Sequence, residues 1–545
     1  MEETCMISQC RWYHGGRSSG RRRLGGASLL ACIAAGLLLA GCGGATHAAS
    51  STTVSGHPQQ GGTLTIAAST EPQTLDPSIC ACDPASEQTI VQIFDELVEF
   101  PNGTSTTPMP GLAQSWTISA DHLTYTFHLR NARFSNGQPV TAEDVRFSLN
   151  RLISPSIDAS EAGLFSSIGS IAAPDPHSVV VHLKHVYAPI LWYLGHPAAS
   201  IYPMAYFQKV GAQGFAAHPI GSGAYEFVSW EHGQRLVLKR NPHYWRSGLP
   251  HFTNVVVNFV PESNARLLDV RSGSVDVATE IPFTEVASIR KVSGYRVDVK
   301  EVGTMDSLPM NEHVAPLNEL VVRQALNYAT PKAALQRIVY GGLGIVQNSA
   351  LPIMRYWDSS VPAYPYDIQK ARELLARSSK PHGFSLTLTI VGTDAPSRSI
   401  AQLIQQAWGQ IGIHVTIVNG DYATVASDWS KEEYDVLFYP GLNTDVPVDD
   451  ELAAAFLQQS AGEDAGFTHY SNPEVNALIN EAASTLNEST RTALFRKIQQ
   501  LDTTDPPWVF LLFAPERTAV RTNVGGFSFT PMLWFRIESL YRIAS

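Results

Sequence analysis

Four carboxylates, Asp445, Asp449, Asp450 and Glu451, fall within seven positions of the run GLNTDVPVDDE at 441–451. Carboxylates this close together can hold a metal ion, work as an acid–base pair, cap a helix or face a cationic ligand. Other chemistry-bearing residues are fewer. Ser222 stands between glycines in PIGSG, which suits a tight turn better than a nucleophile elbow because the block leads into a strand. His182 and His185 lie in the alternating stretch SVVVHLKHVY. Three apart on a strand, they point to opposite faces and do not chelate one ion. Cys80 and Cys82 form a Cys-x-Cys pair whose bridge would be strained, so two thiols or a labile disulfide are expected. No His or Cys set at zinc spacing accompanies them. H-E-x-x-H and Walker A patterns are absent from the sequence, and G-x-S-x-G is absent after residue 41. No catalytic residue, resident metal or cofactor is expected.

Positioning these residues is the task of the surrounding elements. YDVLFYPG at 434–441 is apolar through Val436, Leu437, Phe438 and Tyr439, as a strand covered on both faces would be. LNTD therefore follows a strand's carboxyl end, where open α/β sheets place ligands. Asp449, Asp450 and Glu451 precede the helical LAAAFLQQ, where acids favour a helix N-terminus, and a structural role is expected for them. Upstream, GGTLTIAAST alternates like a strand, and SEQTIVQIFDELVEF has helical spacing through Ile90, Ile93, Phe94 and Leu97. Thr124, Thr126 and His128 alternate with Tyr125, Phe127 and Leu129 in a predicted hairpin, and Asn136-Gly137 is a turn. Thr141 with Asp144 starts a helix as a capping box. Strand and helix alternation returns in LTLTIVG and SIAQLIQQAWGQIGIHVTI, which gives an α/β pattern without a short repeat.

The bulk numbers narrow the function. At 545 residues and 44% hydrophobic composition the chain can build two to four domains, and its net charge of −11 argues against nucleic acid as partner. Arg21 to Arg23, the apolar run ASLLACIAAGLLLA and the ending LAGC read as a secretory signal over 1–41, with Cys42 as the lipid-modified first residue of the mature chain. Fourteen apolar residues span roughly 21 Å, short of the ~30 Å hydrocarbon core. Loss of five arginines and two glutamates before Cys42 takes the net charge from −11 to −14. Residues 42–57 are Gly-, Ser-, Thr- and Ala-rich and read as a flexible tether. An extracytoplasmic protein, lipid-anchored to the bacterial cell membrane, is expected.

Five blocks then occur in a meaningful order: GGTLTIAASTEPQTLDP, PGLAQSWTISADHLTYTFHLRNARFSNGQPVTAEDVRFSLNRL, PIGSGAYEFVSWEHGQRLVLKRNPHYW, VRQALNYATPKAALQRIVYGG and YDIQKARELLA. Together they resemble the family 5 extracellular solute-binding proteins, peptide and nickel receptors of ABC importers, over residues 60 to 545. The resemblance implies a large two-lobed periplasmic-binding-protein-like fold of class II, α/β in composition, with an additional domain in the first lobe. By analogy the first lobe is discontinuous, at 58–102, 222–305 and 505–545. The additional domain takes 103–221 and the second lobe 306–504. The implied ligand is a short peptide or peptide-like cation, delivered to permease subunits by a monomer that does no chemistry on it. A nickel or other small cationic complex is the alternative, and a secreted hydrolase the alternative from another class. In peptide-binding relatives a glycine, a tryptophan and two variable residues precede an aspartate that pairs with the ligand's ammonium. Here Gly441, Leu442, Asn443 and Thr444 precede Asp445, so the aspartate matches and Leu442 replaces the tryptophan. Cys80, Ala81 and Cys82 fall where the family's cleft-lining loop lies. GTMDSLPMN at 303–311 takes the place of the family's crossing between lobes, and Met305, Asp306 and Asn311 in it are further ligand-contact candidates.

Overall fold

The computed structural model describes residues 57–79, 84–103, 105–157, 159–301, 303–392, 395–442, 447–450, 453, 457, 468–532 and 534–544. Its largest sheet has seven strands in the order Tyr295–Lys300, Glu516–Arg521, Val277–Ala278, Thr63–Ala68, Asn254–Phe259, Arg235–Arg240 and Tyr225–Glu231. Thr63–Ala68 runs parallel to both neighbours, and the other pairings are antiparallel. The alternation predicted for this stretch buries Leu64 and Ile66.

A four-stranded antiparallel sheet stands apart, ordered Ala113–Ile118, Thr124–Leu129, Ser178–Leu183 and Ile168–Asp175. Its first two strands are the predicted hairpin, with Tyr125, Phe127 and Leu129 turned into the core. The following helix, Ala142–Leu152, starts with the expected reciprocal cap. Asp144 N–H donates to Thr141 Oγ1 at 3.4 Å and Thr141 N–H to Asp144 Oδ2 at 2.9 Å.

Near the chain's other end three parallel strands are ordered His414–Gly420, Ser385–Val391 and Val436–Phe438. All of Val436–Phe438 is buried, as a strand covered on both faces requires. Helix Ala395–Gly409 packs Ile400, Ile404 and Trp408 into the same core. Beside this sheet, Trp508–Phe513 pairs antiparallel with Met305–Pro309 and Ile345–Val346.

Two chains cross between the seven-stranded sheet and this second group. Lys300 lies opposite Glu516 in the former, and Met305 opposite Phe513 in the latter. Between these pairs Ala514 N–H donates to Thr304 O at 3.1 Å. Trp508–Phe513 hydrogen-bonds with Met305–Pro309, so both segments reach this crossing from the same sheet.

One expected element is shorter than its periodicity. The helix ends at Ile93, Asp95 bridges to Ile201, and Val98–Glu99 pairs as a strand with Met109–Pro110. Asp95, Glu96 and Glu99 are buried, and buried acids need partners. Ser222 Oγ donates to Asp95 at 2.8 Å, Arg536 pairs with Glu96 at 3.1 Å, and Arg246 pairs with Glu99. These distant groups hold the three acids, and the Asp95–Ile201 bridge and the Val98–Glu99 strand pair take the place of a further helical turn.

Candidate ligand-binding site

The carboxyl ends of the three parallel strands lie at Val391, Gly420 and Phe438, and the chain beyond Phe438 leads to the acidic run. Asn443, Asp445 and Glu451 lie outside the described residues, as do Cys80, Ala81, Cys82 and Cys42. The structure does show what holds the flanks of 443–446.

On the near flank, Gly441 and Leu442 are tied to the start of Met305–Pro309. Met305 N–H donates to Leu442 O at 2.6 Å, and the two residues form an isolated antiparallel bridge. Gly441 N–H donates to Asp306 Oδ1 at 2.9 Å, and Tyr340 Oη–H donates to Asp306 Oδ2 at 2.6 Å. Gly441 has φ +80°, a left-handed conformation that a side chain would strain. Leu442 and Met305 are both buried in the main core cluster. The leucine that replaces the family's tryptophan thus packs inward, and Met305 acts there through its backbone.

On the far flank the two described acids are buried. Asp449 Oδ2 accepts the N–H of Tyr356 at 2.8 Å, and its Oδ1 has no hydrogen-bond partner among the described residues. Burial pushes this carboxyl up to about 8, with the neighbouring Asp450 adding to the rise. Asp450 pairs with Arg491, whose guanidinium also donates to Tyr356 Oη at 3.0 Å and to Ala482 O at 2.8 Å. These acids do stand where a helix starts, with Ala453 N–H donating to Asp449 O at 3.2 Å, and their side chains are structural through more distant partners as well. Their partners come from 356 and 491, which no local pattern announces.

Asn311 is not brought together with these residues. It sits at the amino end of Val436–Phe438, where its N–H donates to Asp435 O at 3.0 Å. Its side chain donates to the carbonyls of Glu432 and Tyr434 at 3.0 Å each and accepts His313 N–H at 3.0 Å. The amide is occupied by backbone.

Arg355 gave no sequence signal, and none of its neighbours in the chain supplies one. It pairs with Glu488 at 2.8 Å and donates to Thr106 Oγ1 at 3.1 Å and Thr107 Oγ1 at 3.3 Å. Its guanidinium carbon is 5.4 Å from the Trp192 ring centroid, and Trp192 Nε1–H donates to Thr106 O at 2.7 Å. Ala188 N–H also donates to Ala483 O at 2.7 Å. The segment carrying the four-stranded sheet and the segment carrying the parallel sheet therefore touch around the acidic run.

Ser222 Oγ is buried and committed to Asp95. Among the described residues no group of three or more His, Cys, Asp or Glu is placed to hold a metal ion, and no helix is long and apolar enough to cross a membrane.

Comparison with known proteins agrees with this arrangement. Residues 107–464 match the family described as bacterial extracellular solute-binding proteins, family 5 Middle. The glutathione-binding protein GsiB of Escherichia coli O6:K15:H31 is 29% identical over 435 residues, covering 78% of this chain and 85% of the relative. Among solved structures, the ABC transporter-associated periplasmic binding protein DppA from Helicobacter pylori, in complex with the peptide STSA, superposes with TM-score 0.79 at 26% identity. It covers 89% of this chain and 99% of that one. AgaA from A. tumefaciens R10, in complex with agropinic acid, gives TM-score 0.78 at 27% identity with the same coverage. The fold is the two-lobed class II periplasmic-binding-protein architecture. The chain belongs to the bacterial extracellular solute-binding proteins of family 5, the solute receptors of ABC importers.

Proposed function

We propose that this protein captures short peptides or peptide-like cations outside the cytoplasmic membrane and hands them to the permease subunits of an ABC importer, as a monomer anchored through lipid on Cys42. The observation that supports this reading most is the fixed approach at Gly441 and Leu442. Both are held to the start of Met305–Pro309, so the chain that carries Asp445 departs from the carboxyl end of a buried parallel strand. In this reading Asp445 holds the ligand's ammonium group, cleft edges pair with its backbone, and closure of the lobes presents the loaded form. Named relatives that bind glutathione and the peptide STSA support a peptide ligand.

Native mass spectrometry of protein purified without refolding, followed by calorimetry with glutathione, Ser-Thr-Ser-Ala and N-acetyl-Ser-Thr-Ser-Ala, tests it. A co-purified peptide series is expected. Asp445→Asn weakens an unblocked peptide by about 30-fold or more, in the 2 to 5 kcal/mol range of a truncated buried charge pair. Acetylation of the peptide costs the wild type the same amount and the variant little, because both changes remove one interaction. A co-purified metal complex, or nickel–histidine binding without peptide binding, would replace the peptide reading by the small-cation one.

A further inference from the structure

Asp306 divides its two oxygens between partners of different kinds. Oδ1 takes Gly441 N–H at 2.9 Å, and Oδ2 takes Tyr340 Oη–H at 2.6 Å. Both Asp306 and Tyr340 are buried. The Tyr340 ring meets the edge of Phe283, with centroids 4.9 Å apart and planes at 66°. Phe283 belongs to the first lobe, in the short turn Phe283–Glu285, yet it packs against the core cluster of the second lobe. Its other face is covered by Arg517, whose guanidinium carbon stands 3.6 Å from the ring centroid. Arg517 is itself fixed by donation to Ile281 O at 2.8 Å and Pro515 O at 2.7 Å, beside the crossing. Reciprocally, Leu343 of the second lobe packs against a first-lobe cluster.

The seam is tight at the backbone as well. Gly341 has φ +60°, and a Cβ there would stand 2.7 Å from Phe283 O. Tyr340 therefore has little room to keep its hydroxyl on Asp306 if Phe283 changes place. A continuous series of contacts runs from the crossing, through Arg517, Phe283, Tyr340 and Asp306, to the amide of Gly441.

We propose that Asp306 and Tyr340 are positioning residues that tie the approach of the ligand loop to the seam between the lobes, with Phe283 as the element that sets Tyr340. Asp306 holds Gly441 in register with Tyr340, so the residue from which the loop departs follows the state of the seam and a bound solute feels lobe geometry through it. This inference rests on the reading of 443–446 as the ligand loop. Its test needs no ligand, so the two can fail separately.

Hydrogen exchange resolved to single amides is measured on the full mature chain for wild type, Tyr340→Phe, Phe283→Leu and Phe283→Tyr, with strand Thr124–Leu129 as internal control. Tyr340→Phe removes the donor to Asp306. Phe283→Leu keeps the side chains of Tyr340 and Asp306 and removes the ring that packs against Tyr340 and Arg517. Both are expected to speed exchange at Gly441 by about tenfold or more while the control strand stays at the wild-type rate. Phe283→Tyr keeps an aromatic edge and retains slow exchange. The double variant Tyr340→Phe with Phe283→Leu is no faster at Gly441 than the faster single one, because both act through one contact. Wild-type exchange at Gly441 in Phe283→Leu overturns the proposal. So does an acceleration shared with Thr124–Leu129, which would mean general loosening.

Discussion

Arg355 donates to Thr106 Oγ1 at 3.1 Å, while its Nε is paired with Glu488 at 2.8 Å. One guanidinium thus joins the segment that carries the four-stranded sheet to the one that carries the parallel sheet, and in the proposed function these are the bodies that separate when solute enters. A planar fork with several donors can do this where a point charge cannot.

Arg355→Ala is expected to favour the open form. Two hydrogen bonds to threonine hydroxyls at about 0.5 to 1.5 kcal/mol each, with little from the half-exposed ion pair, shift the equilibrium by roughly 5- to 150-fold. Small-angle scattering of the unliganded variant should give a larger radius of gyration at unchanged mass. Arg355→Lys should recover only part of the wild-type value. An unchanged radius in Arg355→Ala would mean that the contact does not hold the lobes.

Stability should rise as pH falls from about 7.5 to 5. Burial holds Asp449 at about 8, Glu96 at about 7 and Asp95 at about 6, against ordinary values near 4. With native values raised, the folded chain binds more protons than the unfolded one between about pH 4 and 8, so stability is lost as pH rises through that window. Buried Lys332, lowered to about 7, and Lys300, lowered to about 8, act the other way above those values. Thermal melts from pH 4.5 to 9 should therefore have their minimum near pH 7 to 8. Asp449→Asn should flatten the fall between pH 6 and 8, since the amide keeps the contact with Tyr356 N–H and cannot ionise. A Tm that climbs from pH 5 to 7.5 contradicts this assignment.

Cys42→Ala is expected to move the protein from the membrane to the soluble fraction. The motive is LAGC followed by the tether 42–57, together with the absence, among the described residues, of any helix able to span a bilayer. Stable anchoring takes two acyl chains or a chain plus a second signal, so loss of the modified thiol should release nearly all of the protein. Fractionation of the expressing cells after a salt wash measures it, and a variant that stays in the pellet has another anchor.

The sequence alone determined what short-range physics can carry. Alternation at Thr124–Leu129 gave the hairpin, Thr141 and Asp144 gave the capped helix, and the apolar run at 436–438 gave a doubly covered strand, because in each the signal lies within a few residues of its effect. The order of five blocks carried the family. Tertiary structure decided where helix Pro84–Ile93 stops, and the buried acids after it answer to Ser222, Arg246 and Arg536. It also decided that Leu442 packs inward and that Asp449 and Asp450, at a helix start, hold Tyr356 and Arg491 with their side chains. Periodicity and capping are properties of neighbours in the chain. The partner of a buried charge is chosen by desolvation and by whatever the fold brings within reach, here from 41 residues away for Asp450 and 135 for Asp306 and Gly441.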